Sequence, residues 1–368
     1  MNKTTKTIIW VVVIALVIWG IVAISNNNQV SLDSPVKIGF MTDLSGPAAP
    51  YGNEIERGAR LALNEINNSN LEVLFDDTQC SGPTGISVFN KFTNVDGINV
   101  TGGTVCSNVA LSIAPIAENN QIIHLSTGAS SPVLSDAGDY IFRLWPSDDL
   151  EASILANYGL DELTLESASI LYVNTEFGVA LRDAFSEVFS DNGGNIIDIE
   201  SFESDDTEFR TQLSKIKQNS PEAIYIVPNP EQVSLIVKQV NELEINSLVL
   251  SYGPPIEAEG VLESLDGFSG EIYYAHPNQQ DSNSFIQRYE ELYNTRPGLG
   301  ASVGYDTLMI LYEAIGFCGS DDSNCVRDYL YDLEEYRGAS GTISIDENGD
   351  VFIPSIIKRF SGGIIETL

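Results

Sequence analysis

Basic residues are scarce in this sequence: 18 Lys and Arg stand against 52 Asp and Glu, for a formal net charge of −34. A chain so acidic has no basic footprint for a phosphate backbone, which excludes nucleic-acid binding. Histidine is limited to His124 and His276, and none of the four cysteines has CxxC spacing. No metal centre is therefore expected. The patterns HExxH, GxxxxGK[ST] and GxGxxG are all absent. That removes the usual signatures of zinc proteases, P-loop proteins and dinucleotide-binding enzymes. Paired carboxylates such as Asp148-Asp149 and Asp321-Asp322 read as solvated ends of elements, because paired-acid catalysis needs two acids across one substrate. Neither an enzyme nor a cofactor is expected.

What is present is enough chain for two domains of ordinary size, 368 residues at 43% hydrophobic. Residues 8–24 are an uninterrupted apolar or small run of 17, preceded by Lys3 and Lys6 and followed by Ser25 and three asparagines. The lysines keep the start of the chain cytoplasmic and send the rest outward, either behind an uncleaved membrane anchor or after a cleaved signal. Those two lysines are the only charges in residues 1–29, so the remainder stands at −36, read as a solubilising surface. Cysteine suits an exported protein. Cys80 and Cys106 each follow a strand at the same sheet edge, and Cys318 and Cys325 bracket a short loop. The pairing 80–106 and 318–325 is the local solution among three connectivities. Loop closure gives about 3.5 and about 2.5 kcal/mol for the two bridges.

From residue 36 onward, apolar strand-like runs alternate with amphipathic helical ones. Strands are predicted at 36–40, 71–77, 98–102, 122–126, 169–173, 196–201, 223–228, 248–251 and 272–274. Helices are predicted at 53–68, 84–94, 108–118, 150–158, 177–192, 208–218 and 231–242. This rhythm predicts an α/β fold of parallel sheets covered by helices. Helices at 283–294, 303–317 and 325–335 follow, then strands at 342–345 and 356–360. Extended breakers at 145–149 and 276–278 divide the rhythm into two lobes. Two small-residue turns, 102–107 and 126–132, follow neighbouring strands. Serine at such a turn offers a hydroxyl beside free amides and the positive end of a helix, a carboxylate-holding arrangement at the edge where open α/β sheets bind ligands.

The segment 44–52 (LSGPAAPYG) with Arg57-Gly58-Ala59 closely resembles the start of the leucine/isoleucine/valine-binding protein family, type I extracytoplasmic solute-binding proteins of ABC importers. Asp76-Asp77 with Cys80, Cys106-Ser107, Ser126 to Leu134 and Tyr305-Asp306 extend the resemblance in order from about residue 36 to 362. It implies two Rossmann-like lobes, 36–147 with 278–348 and 148–277 with 349–368, joined by three crossovers near 146–149, 275–278 and 347–351. It also implies a solute trapped between the lobes, ABC permease subunits as partners, and a monomer. Ser107 is expected on the ligand carboxylate, Gly128 and Ser130 in the next turn beside Ser126, Tyr51 over the side-chain pocket and Phe177 stacking from the second lobe. A second-lobe tyrosine of the family aligns with Pro228, and the acid that pairs the ligand ammonium aligns with Pro255. Glu257, by a two-residue shift, or Tyr252 is expected to take over that role. The solutes admitted are an amino acid, an amide, or an organic or aromatic acid. A ligand-sensing ectodomain of the same fold acting through a separate membrane partner is the alternative. His124 reads as core, His276 as structural at the hinge, and Asp306 as a local hydrogen-bonding residue.

Overall fold

The computed structural model describes residue 32 and residues 34–368 apart from 259, 266, 267, 269 and 279. The apolar run at 8–24 lies outside the described residues. Among those described, no helix is long and apolar enough to cross a membrane.

Residues 36–143 build a five-stranded parallel sheet. Its strands are β1 (Val36–Thr42), β2 (Leu71–Asp77), β3 (Val100–Gly103), β4 (Ile123–Ser126) and β5 (Ile141–Arg143), in spatial order β2-β1-β3-β4-β5. The crossovers are α1 (Ala49–Ile66), α2 (Gly82–Asn90) and α3 (Ser107–Asn120). Helix α1 begins at Ala49, before the expected residue 53, because Pro50 sits in its first turn, where a missing N–H leaves nothing unsatisfied. The second sheet draws on α4 (Asp148–Asp161), β6 (Ser167–Val173), α5 (Glu176–Asp191), β7 (Asn195–Phe202), α6 (Arg210–Asn219), β8 (Ala223–Val227), α7 (Pro230–Glu242) and β9 (Leu248–Tyr252). Two four-residue helices, α8 (Gly253–Ile256) and α9 (Val261–Ser264), precede β10 (Glu271–Pro277). The chain then returns to the first lobe as α10 (Asn283–Tyr293), α11 (Ala301–Cys318), α12 (Ser323–Tyr331) and the hairpin β11 (Tyr336–Arg337) and β12 (Thr342–Ile343). It ends in the second sheet as β13 (Ser355–Ser361) and β14 (Ile364–Thr367), both antiparallel.

The second sheet runs β14-β13-β10-β9-β8-β6-β7. Its parallel part, β7-β6-β8-β9-β10, therefore repeats the strand order of the first sheet. In both sheets the first strand lies between the second and third, so each has a switch point where consecutive crossovers leave in opposite directions, the crevice that open α/β sheets use for ligands. Strand β8 shows why both faces are covered. Ile224 and Ile226 enter one core with α6 and α7, whereas Ala223, Tyr225 and Val227 enter another with α4 and α5.

Three passages join the lobes, at 144–147, 278–282 and just before β13. Residues 349–353, expected with the second lobe, stay with the first. Asp350 bridges Arg143, Val351 bridges Ile345, and Val351 and Ile353 are buried in the first core. The passages touch one another: the Asn278 amide donates to the Pro354 carbonyl at 2.8 Å.

The first lobe closes on one very tight helix pair. A Cβ at Gly58 on α1 would stand 1.7 Å from the Ala301 carbonyl oxygen, and one at Gly304 on α11 would stand 2.2 Å from that of Ile55. Both partners are backbone and cannot swing aside. Gly58→Ala is expected to force the helices apart and to destabilise the lobe by about 1–3 kcal/mol, the usual cost of overpacking. Thermal unfolding of the variant beside the parent protein checks it; an unchanged midpoint would show that the pair separates freely.

Candidate functional site

The carboxyl edges of the two sheets face one another across a cavity of about 350 Å³. The first lobe supplies Pro47 to Tyr51 after β1, Val105 to Asn108 after β3, and Gly128 with Ser130 after β4. The second supplies Thr175 to Phe177 after β6, Pro228 to Pro230 after β8, and Tyr252 with Pro254 and Pro255 at the end of β9. Trp145, on the first passage between the lobes, completes the wall. Six of the eight expected ligand residues line this space: Tyr51, Ser107, Gly128, Ser130, Phe177 and Tyr252.

The first-lobe turns are fixed from below. Asp43, fully buried after β1, accepts the Val105 amide at 2.7 Å, the Cys80 amide at 3.1 Å and the Thr78 hydroxyl. Burial raises its carboxyl pKa, and these donors oppose that rise. The disulfide Cys80–Cys106, with Cα atoms 5.5 Å apart, ties the same two loops; Cys318–Cys325 closes the distant loop after α11. Ser107 then stands at the first position of α3. Its Oγ accepts the amides of Ser130 at 3.3 Å and Ser131 at 3.2 Å. The hydroxyl proton remains unspent and the side chain lines the cavity.

Two further donors wait there. The Tyr51 hydroxyl and the Asn229 side-chain nitrogen are buried without a hydrogen-bond partner. Asn229 was not anticipated, because the flanking Pro228 and Pro230 drew attention away from it. It caps α7 in a reciprocal arrangement with Gln232, which leaves its amide nitrogen over. Among the described residues no Lys, Arg or His lines the cavity, and its one acid, Glu176, is exposed to solvent. The cavity wall is thus apolar, with neutral donors entering from both lobes.

Ser126 and Glu257 do not reach this space. The Ser126 hydroxyl is buried, 3.0 Å from the Thr104 hydroxyl, and accepts the Ala129 amide at 3.2 Å, so it braces the turn from behind. Glu257 accepts from Lys358 Nζ at 2.8 and 3.1 Å. Burial opposes its charge, but His276 and Lys358 beside it hold it below the usual carboxylate range. A carboxylate already paired with a lysine has no free charge for a ligand. Asp306 is equally committed, accepting the Ala339 amide at 2.6 Å and the Ser340 amide and hydroxyl at 2.8 and 2.6 Å, which pins the β11–β12 hairpin to α11. His124 is core: its ring nitrogens meet the hydroxyls of Thr101 and Thr104 at 3.0 and 3.1 Å.

The acids that sequence reasoning missed lie behind the wall. Asp148 and Glu151, in the first turn of α4, are each 1% exposed, and none of their four carboxyl oxygens has a hydrogen-bond partner. The hydroxyls of Ser130 and Tyr252 are near the Asp148 carboxyl without reaching hydrogen-bond geometry. Burial pushes Asp148 up to about 7 and Glu151 well above the ordinary range.

Two lobes of one strand order, hinged by three passages and lined with neutral donors facing an apolar space between them, define a bilobed solute receptor. Residues 35–354 match the family model described as periplasmic binding protein, and the chain belongs to that family. The Leu/Ile/Val-binding protein homolog 3 of Brucella melitensis is 24% identical over 356 residues, covering 90% of this chain and 93% of that one. The fold is that of the leucine binding protein LivK of Thermotoga maritima, with a TM-score of 0.83, 24% identity, and coverage of 90% of this chain and 97% of that one. A Rhodopseudomonas palustris solute-binding protein of an ABC transporter, solved with 3,4-dihydroxybenzoic acid, matches at TM-score 0.78 and 20% identity, covering 89% and 93%. This protein is accordingly a solute-binding protein of the periplasmic binding protein family, extracytoplasmic and not an enzyme.

The buried acid makes a stability prediction. Asp148 binds its proton more tightly in the folded chain, at about 7 against an ordinary 3.8. The associated stability is full below pH 3.8 and is lost as pH rises through 7. Converted at 1.36 kcal/mol per unit, this is on the order of 4 kcal/mol at most. Asp148→Asn is expected to unfold at higher temperature than the parent at pH 8, with the advantage shrinking towards pH 4. His124, held down to about 3 by burial, acts in the opposite sense below its ordinary 6.5, so the two proteins are compared as a difference at each pH. Parallel profiles would show that Asp148 ionises as freely as in water.

Proposed function

We propose that this protein captures a small carboxylate-bearing solute between its lobes, 36–147 with 278–353 and 148–277 with 354–368, and delivers it to the permease of an ABC importer. The observation that carries this reading is the Ser107 hydroxyl. It is oriented by two amides, has its proton free, and stands at the start of a 14-residue helix whose dipole favours an anion. Asn229 and Tyr51 add donors from opposite sides, so a carboxylate binds all three only when the lobes are together. Tyr51 already packs against the core of the second lobe, the arrangement a closed receptor requires. Phe177 and Tyr252, ring centroids 5.2 Å apart, cover the body of the solute.

Serine and amide donors without a formal positive charge suit a carboxylate in a dry site, because each charge-assisted hydrogen bond there contributes about 1.5–3 kcal/mol. Two proteins of this fold were solved with solutes of this kind, LivJ of Streptococcus pneumoniae with isoleucine and a solute-binding protein of R. palustris with benzoate. The N-terminal apolar run would hold the receptor at the membrane beside its permease. Titration calorimetry with leucine, benzoate and their methyl esters tests the carboxylate contact. At least one acid is expected to bind more than tenfold tighter than its ester, and Ser107→Ala with Ser130→Ala is expected to remove that gap. Esters binding as well as acids would rule out a carboxylate subsite at Ser107.

A further inference from the structure

The reading above leaves the aromatic part of the cavity wall unexplained, and its chemistry is distinctive. Four aromatic side chains from four different elements meet there: Tyr51, Trp145, Phe177 and Tyr252. Phe177 and Tyr252 stand at 66° to one another, so they form two walls of a corner and not a stacked pair. The Trp145 indole N–H donates to the Tyr252 hydroxyl at 3.2 Å. That bond fixes both rings and spends the one donor that Trp145 has.

Behind this corner lie Asp148 and Glu151, with no cation bound to either. Arg143, the charged neighbour of Asp148, is engaged elsewhere, by both oxygens of Asp350 at 2.7 and 2.6 Å. This corner thus combines aromatic rings with two buried carboxyl groups behind them, neither of which reaches the surface of the space. A primary ammonium brings three N–H donors, each needing an acceptor, and leaving them unmade is costly. The unspent side-chain groups here, on Ser107, Tyr51 and Asn229, are donors as well. A quaternary ammonium has no N–H to satisfy. It is attracted by the ring faces themselves.

We infer that the solute is a zwitterion with a fully N-methylated cation, a betaine-type trimethylammonium carboxylate whose methyl groups are boxed by Trp145, Phe177, Tyr252 and Tyr51. The inference rests on the carboxylate reading of Ser107, which orients the molecule with its cation towards the rings. It also accounts for the proline at position 255, where the resemblance placed an ammonium-pairing acid: a methylated cation needs no direct counter-charge.

Titration calorimetry of the full-length chain in detergent, with trimethylglycine, dimethylglycine, glycine and benzoate, tests the inference. Trimethylglycine is expected to bind about 100-fold tighter than glycine, the gap that three desolvated ring contacts give, with dimethylglycine between them. Phe177→Leu is expected to shrink that gap to below about tenfold and Phe177→Tyr to preserve it, which separates loss of the ring from loss of the fold. Glycine or benzoate binding as tightly as trimethylglycine overturns the inference and leaves the carboxylate reading standing. If none of the four binds while uncharged amides do, both readings fall.

Discussion

The site depends on a guanidinium with no freedom left. Arg143, 1% exposed at the end of β5, gives Nε and Nη2 to Asp350, Nη1 to the Ser131 carbonyl at 2.9 Å, and Nη2 also to the Ser135 hydroxyl at 2.8 Å. Its own amide donates to the Gly349 carbonyl at 3.0 Å. A buried pair of this kind contributes little net stability, since desolvation offsets most of the attraction. Its effect is geometric. One side chain sets the turn that carries Ser130, the strand from which the chain leaves the first lobe, and the segment by which it returns to the second. The Ser130 carbonyl in turn accepts the Asp148 amide at 2.9 Å, so the start of α4 is registered to the ligand-facing turn. Hinge and site are one hydrogen-bonded unit.

Much of this was legible in the sequence because period and spacing carry it. Buried parallel strands are continuous apolar runs, and nine of them stand out between residues 36 and 274. Cysteines beyond two neighbouring strand ends fall at one sheet edge, where a disulfide joins them. Ser107 and Ser130 follow strands that a parallel sheet must set side by side, and register does so by pairing Gly103 with Ser126. What escaped the reading was short or disguised. Strand β5 has three residues and owes its place to Arg143, whose charge hides it from any apolar pattern. Strand β14 is mostly exposed and is held by hairpin pairing to β13.

The acidic residues show the limit most clearly. Asp148 beside Asp149 looks like a solvated helix start, and Asp149 is indeed exposed. Asp148 and Glu151 share one helical face by their three-residue spacing, and only the packing of α4 on α5, β9 and β10 turns that face inward. Glu257 failed in the opposite way. Its position in sequence placed it near the cleft, but Lys358 arrives from β13, a hundred residues later, and takes its charge. Sequence distance conceals both outcomes equally.

Those two acids give the receptor an asymmetry beyond shape. With the lobes together, Asp148 and Glu151 sit between Ser130 of one lobe and Tyr225 and Tyr252 of the other, buried and without a hydrogen-bond partner, and the nearby Arg143 is committed to Asp350. Charge in that position is disfavoured, so closing over an empty cavity drives both carboxyls towards their protonated forms. A cationic group at the aromatic corner reverses the balance: its field stabilises the ionised acids, and a protonated pair gains nothing comparable from it. Linkage then requires that whatever favours ionisation also favours the closed, loaded state, and that cation binding releases protons. A purely anionic solute such as an aromatic acid lacks this term. Under the zwitterion proposal, selectivity for net charge would arise behind the cavity wall, in residues that never touch the solute.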